Sequence, residues 1–192
     1  MNARQYLSVE RASEGRREYC GDQILGIPSG SRQHCLISGN VAVALLKQLD
    51  DSPFEVYQTQ MRVKGPRAGF YLYPDVVATC EDPRFEDKEF DTLLNPCVVV
   101  EVLSPSTKLW DCGTKFEHYR SITSPREYVM IAPEHVQVEK FAINDDSQWA
   151  LTDFRTLDDV LVLDSISGQI KRSDMYASIC FSDESETEER CP

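Results

Sequence analysis

The chain has 192 residues, of which 41% are hydrophobic and 27% are charged, a composition typical of globular domains. No stretch approaches the ~20 consecutive apolar residues of a transmembrane helix, and no signal-peptide pattern opens the chain, so we expect a cytoplasmic protein without membrane attachment. The net charge of −12 argues against strong non-specific binding to nucleic acid, because such binding neutralises phosphates with Lys and Arg. We predict one domain over 1–180 and an acidic, disordered tail over 181–192.

In chain order, the periodicity of apolar residues predicts a mixed α/β fold. Amphipathic or charged helical patterns occur over 5–17, 32–49 and 111–122. Strand patterns occur over 54–64, 71–80, 97–103, 127–132, 136–143 and 149–155, after a turn and strand over 18–27. Residues 81–91, with six acids, are interpreted as a solvated connector of a long hairpin. Residues 157–179 are interpreted as a short helix or turn followed by strand pieces.

Two acids stand inside apolar runs that read as buried strands. Asp75 lies in the segment 71–78, and Glu101 lies in the segment 97–103. Burying a carboxylate without a partner costs several kcal/mol or more, so something cationic should meet both groups. Because no equal number of bases accompanies them, a metal ion is the favoured partner.

A simple register argument places the two acids side by side. If 71–80 pairs antiparallel with 97–103 so that Cys80 lies opposite Cys97, then Asp75 and Glu101 fall within one residue of each other. Adjacent carboxylates repel unless a cation joins them. The register therefore also favours a metal site.

A metal held by these residues suits hydrolysis of phosphodiester bonds. Mg²⁺ prefers oxygen ligands and retains several waters, and Mn²⁺ can substitute for it. Asp75 and Glu101 are predicted as ligands, with the backbone carbonyl of Val102 as a third. Lys115, in the following helix, is predicted to orient or deprotonate the attacking water and to stabilise developing negative charge.

Other polar residues have ordinary structural explanations that stand beside functional ones. We interpret His34 as a surface or capping histidine, although it can approach the site. Tyr119 lies one turn after Lys115 and is expected to be a packed core tyrosine rather than a substrate contact. Ser104 and Ser106 are explained by turn chemistry around a proline, or else by contact with a phosphate. The seven cysteines include no Cys-x-x-Cys pair, which argues against a zinc ribbon.

The order of these motifs resembles a known family. Pro74-Asp75, then Val-Glu-Val-Leu-Ser-Pro-Ser-Thr from Val100, then Asp-x-Gly-x-Lys-Phe-x-His-Tyr-Arg from Asp111, are similar to the restriction-endonuclease family that is greatly expanded in cyanobacteria. That family belongs to the PD-(D/E)XK nuclease-like superfamily. The resemblance extends along most of the chain, through the segments 61–64, 91–96, 126–129 and 157–161.

The resemblance implies an αβββαβ core, here with additional C-terminal strands, and metal-dependent cleavage of DNA, commonly by a homodimer. It carries the family's two acids onto Asp75 and Glu101. The superfamily's lysine normally lies two residues after the second acid, where this chain has Leu103, so the lysine role passes to Lys115. Near the N-terminus the family's Glu-Tyr-x-x-Gly-Glu is altered, with the glycine displaced and Gln23 in place of the last acid. Glu18 is retained as a possible additional catalytic or metal-binding residue.

The sequence therefore predicts a Mg²⁺-dependent DNA endonuclease with Asp75, Glu101, Lys115 and Glu18 at its catalytic site. The alternative is a non-catalytic binding protein that retains the nuclease fold. The acidic composition, Leu103 and the altered region around Glu18 favour that alternative. A fold by itself does not establish an activity.

Overall fold

The computed structural model describes residues 1–21, 23–66, 69–79, 81–104 and 110–181. Within these ranges the helices are α1 (Ala3–Arg11), α2 (Arg32–Gln48), α3 (Phe116–Arg120) and α4 (Arg172–Met175). The strands are β1 (Arg17–Cys20), β2 (Gln23–Gly26), β3 (Val56–Gln58), β4 (Arg62–Lys64), β5 (Phe70–Leu72), β6 (Val76–Thr79), β7 (Thr92–Leu93), β8 (Pro96–Val102), β9 (Glu127–Ile131), β10 (Val138–Ile143), β11 (Trp149–Phe154), β12 (Val160–Leu163) and β13 (Gly168–Lys171). A π-helical turn, Trp110–Lys115, leads directly into α3, and a 3₁₀ turn, Asp164–Ile166, joins β12 to β13.

A mixed six-stranded sheet forms the centre of the molecule, in the order β11-β10-β9-β8-β6-β3. All neighbours pair antiparallel except β8 and β9, which are parallel and are connected through α3. The succession α2, β3, β6, β8, α3 and β9 is the predicted αβββαβ core. Strands β10 and β11 are the additional C-terminal strands, so the predicted fold class is confirmed.

A second sheet of five strands, in the order β2-β1-β5-β4-β7, packs against one face of the first. Residues of β8 alternate between two apolar layers because successive side chains of a strand point to opposite faces. Val98, Val100 and Val102 pack with α2, whereas Val99 and Leu103 pack in the layer that includes the second sheet and α3. By this alternation, Glu101 belongs to the layer between the two sheets.

The prediction of one strand over 71–80 is wrong. The chain forms β5 in the second sheet and β6 in the first, and it crosses between them at Tyr73, Pro74 and Asp75. Pro74 has no N–H to donate to a ladder, which explains why pairing is interrupted there. The predicted strand over 54–64 is divided in the same way into β3 and β4, around Thr59, whose φ is 30°.

The predicted register holds to within one residue. Val76 of β6 pairs with Val100 of β8 in an antiparallel ladder. The next position outward on each strand is Asp75 and Glu101, so the two acids end neighbouring strands at the same edge. Cys80, used to set the predicted register, lies outside the described residues.

The 81–91 segment is more than a solvated connector, because several of its acids form ion pairs with the second sheet and α1. Asp91 accepts hydrogen bonds from Arg11 at 2.7 Å and pairs with the buried Arg62. Glu86 pairs with Lys64. Burial alone would raise the pKa of Asp91, but the hydrogen bonds from Arg11 and Arg62 outweigh burial and hold its pKa well below the usual range.

We expect Asp91→Asn to lower the free energy of unfolding by about 1–2 kcal/mol at neutral pH, since it leaves Arg62 without its carboxylate. A depressed folded-state pKa contributes stability above the pKa of the unfolded carboxyl and loses it as pH falls through the folded value. The difference between wild type and variant should therefore shrink in acid. Urea unfolding at pH 7 and below pH 3 measures it, with Asp87→Asn at the more exposed partner of Arg11 as the control with a smaller effect. An equal loss at both pH values would contradict this role.

Of two further predictions about the ends of the chain, the first is corrected and the second is confirmed. The N-terminal helix ends at Arg11, well before residue 17, and its Asn2 forms a capping box with Gln5. In the C-terminal part, a turn at 157–158 precedes strands β12 and β13, as predicted, and the helix α4 follows them. The predicted acidic tail lies outside the described residues, apart from Phe181. No helix among the described residues is long and apolar enough to span a membrane.

Candidate functional site

The carboxyl end of β8 opens into a cavity of about 380 Å³ between the two sheets and the start of α2. Its polar wall includes His34, Asp75, Glu101, Val102, Ser104, Asp111 and Lys115. A larger cavity of about 990 Å³ lies at the opposite end of β8 and β9, around Cys97 and Glu127. The predicted site residues lie at the smaller cavity, so we assign the candidate functional site there.

Lys115 is surrounded by three carboxylates. Its Nζ lies 3.0 Å from Oε1 of Glu18, 3.3 Å from Oε1 of Glu101 and 3.2 Å from Oδ1 of Asp111. The Lys115 side chain is 8% exposed, and its partners are between 3% and 6% exposed. Lys115 ends the π-helical turn, a conformation that occurs often at functional sites. The buried ammonium of Lys115 therefore forms ion pairs with three carboxylates.

Glu101 is one of the deeply buried acids of this cluster. It accepts hydrogen bonds from Lys115 and, at 3.2 Å, from the hydroxyl of Tyr119. Burial raises the pKa of Glu101 well above its ordinary value, Lys115 opposes that effect, and the nearby acids Asp111, Asp75 and Glu18 reinforce it. The site therefore holds more negative charge than its own cation offsets.

The pKa of Lys115 leads to the same conclusion. Burial by itself would lower the pKa of the ammonium, but the charges of Glu101, Glu18 and Asp111 outweigh burial and raise it well above the ordinary lysine value. Lys115 is therefore charged at neutral pH. Tyr119 keeps its proton as well, because burial and the charge of Glu101 raise its pKa.

Asp75 joins the start of α2 to the end of β8. Its Oδ2 accepts a hydrogen bond of 2.7 Å from the backbone N–H of Val102, and its Oδ1 lies 2.8 Å from Nε2 of His34. The hydrogen bond with Asp75 is the main reason why the pKa of His34 is raised. The cap of α2 is Ser31, whose hydroxyl accepts from the N–H of His34. His34 is thus not a capping or surface side chain, as the first interpretation had it, but a contact of Asp75.

Glu18 reaches the site from the second sheet. It stands on β1, and its Oε1 accepts a hydrogen bond of 3.0 Å from the backbone N–H of Tyr73. Its Oε2 accepts one of 3.1 Å from the indole of Trp110. The altered turn after β1 therefore does not remove this glutamate from Lys115.

The structure brings together Glu18, Asp75, Glu101, Val102 and Lys115. Sequence reasoning missed Asp111, although its spacing of four residues from Lys115 is that of an ion pair on a helix. It also missed Trp110. Ser104 lines the cavity, as one of its two interpretations allows, and Ser106 lies outside the described residues. Tyr119 is fully buried, as expected.

The donor chemistry of the site fits a hard divalent cation. Within the described parts of the chain, no three His, Cys, Asp or Glu side chains converge so as to hold a metal ion by themselves. Mg²⁺ needs fewer, because it commonly takes one or two carboxylates and retains waters. Asp75 and Glu101 supply that number. Burial is the main cause of the raised pKa of Glu101, and the neighbouring carboxylates that add to it carry charge that a cation would offset.

Comparisons with known proteins identify one family model and two similar proteins. The family model Uma2, described as "Putative restriction endonuclease", matches residues 3–173. The Synechocystis protein slr1290 is 30% identical over 181 residues, which cover 94% of each chain. The Synechocystis protein sll1609 is 31% identical over 153 residues, covering 80% of this chain and 86% of the relative.

A solved structure matches the fold. It is a protein from Anabaena variabilis described as "a putative nuclease belonging to DUF820", and it superposes with a TM-score of 0.74 at 15% identity. The match covers 92% of this chain and 98% of that one. With the family model spanning most of the sequence, the chain belongs to the Uma2 restriction-endonuclease family.

Proposed function

We propose that this chain is a metal-dependent DNA endonuclease whose reaction centre is the cavity at the end of β8. The observation that carries the proposal is the juxtaposition of Lys115 with Glu101, beside Asp75, in an open and strongly acidic cavity. Family membership supports a nuclease-like protein with DNA as substrate. We assign Asp75 and Glu101 as ligands of Mg²⁺ or Mn²⁺, and the Val102 carbonyl as a third.

When bound there, the cation would polarise a phosphoryl oxygen and lower the pKa of its water. The protein's own groups would hold the metal ligands Asp75 and Glu101 in position. The Val102 N–H and His34 hold the two oxygens of Asp75 in a fixed orientation, and Tyr119 and Lys115 do the same for Glu101. Such supporting hydrogen bonds tune both ligand position and affinity.

Lys115 has an electrostatic role in this proposal. A general base needs a pKa near the working pH, and the three acids around Lys115 raise its pKa away from that range. Its ammonium can instead donate a hydrogen bond that orients water or stabilises a phosphate oxygen as negative charge develops. Glu18 positions Lys115, at a distance of 3.0 Å.

We propose DNA as the partner, bound with low affinity because the chain is acidic, with Mg²⁺ as cofactor and the cytoplasm as the location. A homodimer would suit cleavage of both strands of a duplex, since two-fold symmetry places two equal sites on the two strands.

A second candidate is a binding protein that retains the nuclease fold without catalysis. The observation that favours it is that the acids of the site are satisfied internally. Both oxygens of Asp75 have hydrogen-bond partners, and Lys115 contacts Glu18, Glu101 and Asp111 at once. Metal binding distinguishes the two candidates, because a scaffold needs none.

The test is cleavage of plasmid and branched DNA with Mg²⁺ or Mn²⁺, beside the variant Asp75→Ala. We expect metal-dependent cutting by the wild type and its loss in Asp75→Ala, with the fold retained in circular dichroism. The matched control is Asp50→Ala, at an exposed acid just after α2. Equal cutting by Asp75→Ala would refute the site assignment. If the wild-type protein neither cuts DNA nor binds Mn²⁺ in calorimetry, the non-catalytic binding protein is favoured.

A further inference from the structure

A second cavity, of about 410 Å³, adjoins the reaction centre on the side of the five-stranded sheet. Its lining includes Glu18, Leu25, Ile27, Pro28, Trp110 and Lys115. Ile27, Pro28 and Lys115 also line the cavity at the end of β8. The two cavities therefore meet at Lys115, one strongly acidic and the other walled mainly by apolar groups.

Trp110 forms one wall and is held in place by a polar anchor. Its indole N–H donates to Glu18 at 3.1 Å, and Glu18 itself is held by Lys115 and by the Tyr73 N–H. Trp110 is only partly buried, so part of its side chain remains available for contact in the cavity. Leu25 and Ile27, at the end of β2, also line this cavity. Because β2 is the edge strand of its sheet, alternate backbone N–H and C=O groups there face away from β1.

We infer that this cavity receives an unpaired nucleobase next to the scissile phosphate, so that the preferred substrate is DNA with a single-stranded segment. The inference rests on the proposed nuclease function and adds a substrate class to it. An aromatic ring and aliphatic side chains that line one cavity, beside the free edge of β2, match the stacking and edge hydrogen bonding by which proteins hold extruded bases. A paired base in a continuous duplex cannot enter such a cavity without leaving its stack, which costs a few kcal/mol.

The charge of the chain supports the same substrate class. Proteins that bind continuous duplex DNA gain most of their non-specific affinity from phosphate contacts with Lys and Arg. This chain has 20 such residues against 32 acids, so that source of affinity is weak. Base stacking does not require positive charge and is worth about 1–3 kcal/mol per base. A stacking cavity beside the reaction centre supplies affinity that does not depend on an excess of Lys and Arg.

The experiment compares a fluorescein-labelled single-stranded oligonucleotide with the matching duplex, by fluorescence anisotropy in EDTA so that no cation supports cleavage. We expect the wild type to prefer the single strand. Trp110→Ala should weaken single-strand binding by about tenfold or more and leave duplex binding unchanged. Trp110→Phe, which keeps a ring, should retain most of the preference.

Leu25→Trp provides the second variant, because it adds bulk to another lining residue of the cavity and does not remove the Trp110–Glu18 hydrogen bond. It should also remove the single-strand preference, and it decides the matter if Trp110→Ala does not fold. A wild type without preference for the single strand, or equal losses for both DNA forms in Leu25→Trp, would overturn the inference.

Cleavage assays in Mn²⁺ separate this inference from the proposed function. Cutting of continuous duplex at a rate that Leu25→Trp does not change would retain the nuclease and overturn the base cavity. Single-strand binding that depends on Trp110, in a protein that cuts no DNA, would retain the cavity and refute the nuclease.

Discussion

Glu101→Gln is expected to abolish metal-dependent DNA cleavage while leaving the protein as stable as the wild type, or more stable. The substitution keeps the size of the side chain and an oxygen that can accept from Tyr119 and Lys115. It removes a charge that burial and three neighbouring acids disfavour, as the raised pKa of Glu101 indicates. It also removes a charged ligand, for which we expect a loss of cleavage of about 10²–10³-fold or more.

The measurement pairs plasmid cleavage in Mg²⁺ and Mn²⁺ with thermal unfolding in the absence of metal. Glu127→Gln is the matched control, because Glu127 is a buried glutamate on the same sheet, paired with Lys140 at the opposite end. That variant should lose stability and keep cleavage, since its carboxylate accepts hydrogen bonds from Lys140 and from the Ser165 N–H. If Glu101→Gln cut DNA like the wild type, Glu101 would not belong to the reaction centre.

Lys115→Met is expected to be the most destabilising substitution in the site, at about 3–5 kcal/mol near neutral pH. The change leaves three buried acids without their shared cation, and removal of one partner from a buried ion pair costs that much. Lys140→Met is the control. It removes the cation from one buried acid, Glu127, so we expect a smaller loss of stability.

The stability of Lys115→Met should recover as pH falls. Burial raises the pKa of Glu101, and Lys115 is the main influence that lowers it, so the variant's Glu101 takes up a proton more readily in the folded state. A folded-state pKa above the unfolded value contributes stability below the unfolded pKa and loses it as pH rises through the folded value. Urea unfolding from about pH 4, near the ordinary glutamate pKa, up to about pH 8 measures this trend.

Divalent cations give an independent readout of the same variant. Under the proposed function, Mg²⁺ or Mn²⁺ should raise the melting temperature of Lys115→Met, because a ligand that binds only the folded state stabilises it. The double variant Lys115→Met/Glu101→Gln should regain stability and lose most of that metal response. A Lys115→Met protein as stable as the wild type at pH 8 would show that the three acids do not depend on Lys115.

The core of the first sheet and the position of its acids follow from local sequence alone. An acid at position 101 inside a run of valines predicts a buried carboxylate with a polar partner, and the structure leaves Glu101 only 3% exposed. The alternation of β8 side chains and the register with β6 follow from the same run. Lys115 is different. A lysine on a helix has no local signal that distinguishes burial from exposure, so its proximity to the Glu101 strand only suggested a role, and the resemblance to the family strengthened it.

The remaining features depend on tertiary contacts that a local pattern does not contain. His34 meets Asp75 across 41 positions of chain, and Trp110 meets Glu18 across 92. The division of the 71–80 run between two sheets was signalled by Pro74, but an apolar run on both sides of a proline is also compatible with one strand that has a bulge. Only the pairing partners of Tyr71 and Val77, which lie in different sheets, distinguish these possibilities.

The crossing at Tyr73, Pro74 and Asp75 has a consequence for which changes in chain length this protein can accept. The Tyr73 N–H donates to Glu18 of the second sheet. The Asp75 carboxylate contacts His34 and accepts from the Val102 N–H of the first sheet. The two peptide units between Tyr73 and Asp75 therefore set the spacing between these two groups of contacts. One inserted residue would add ~3.3 Å there and turn one set of groups away from its partners. In the 81–91 segment, residues 87–90 are exposed, so a residue inserted there does not change the spacing between contacts on the two sheets. Relatives of this chain should therefore vary in length between β6 and β7 and keep the same length between β5 and β6.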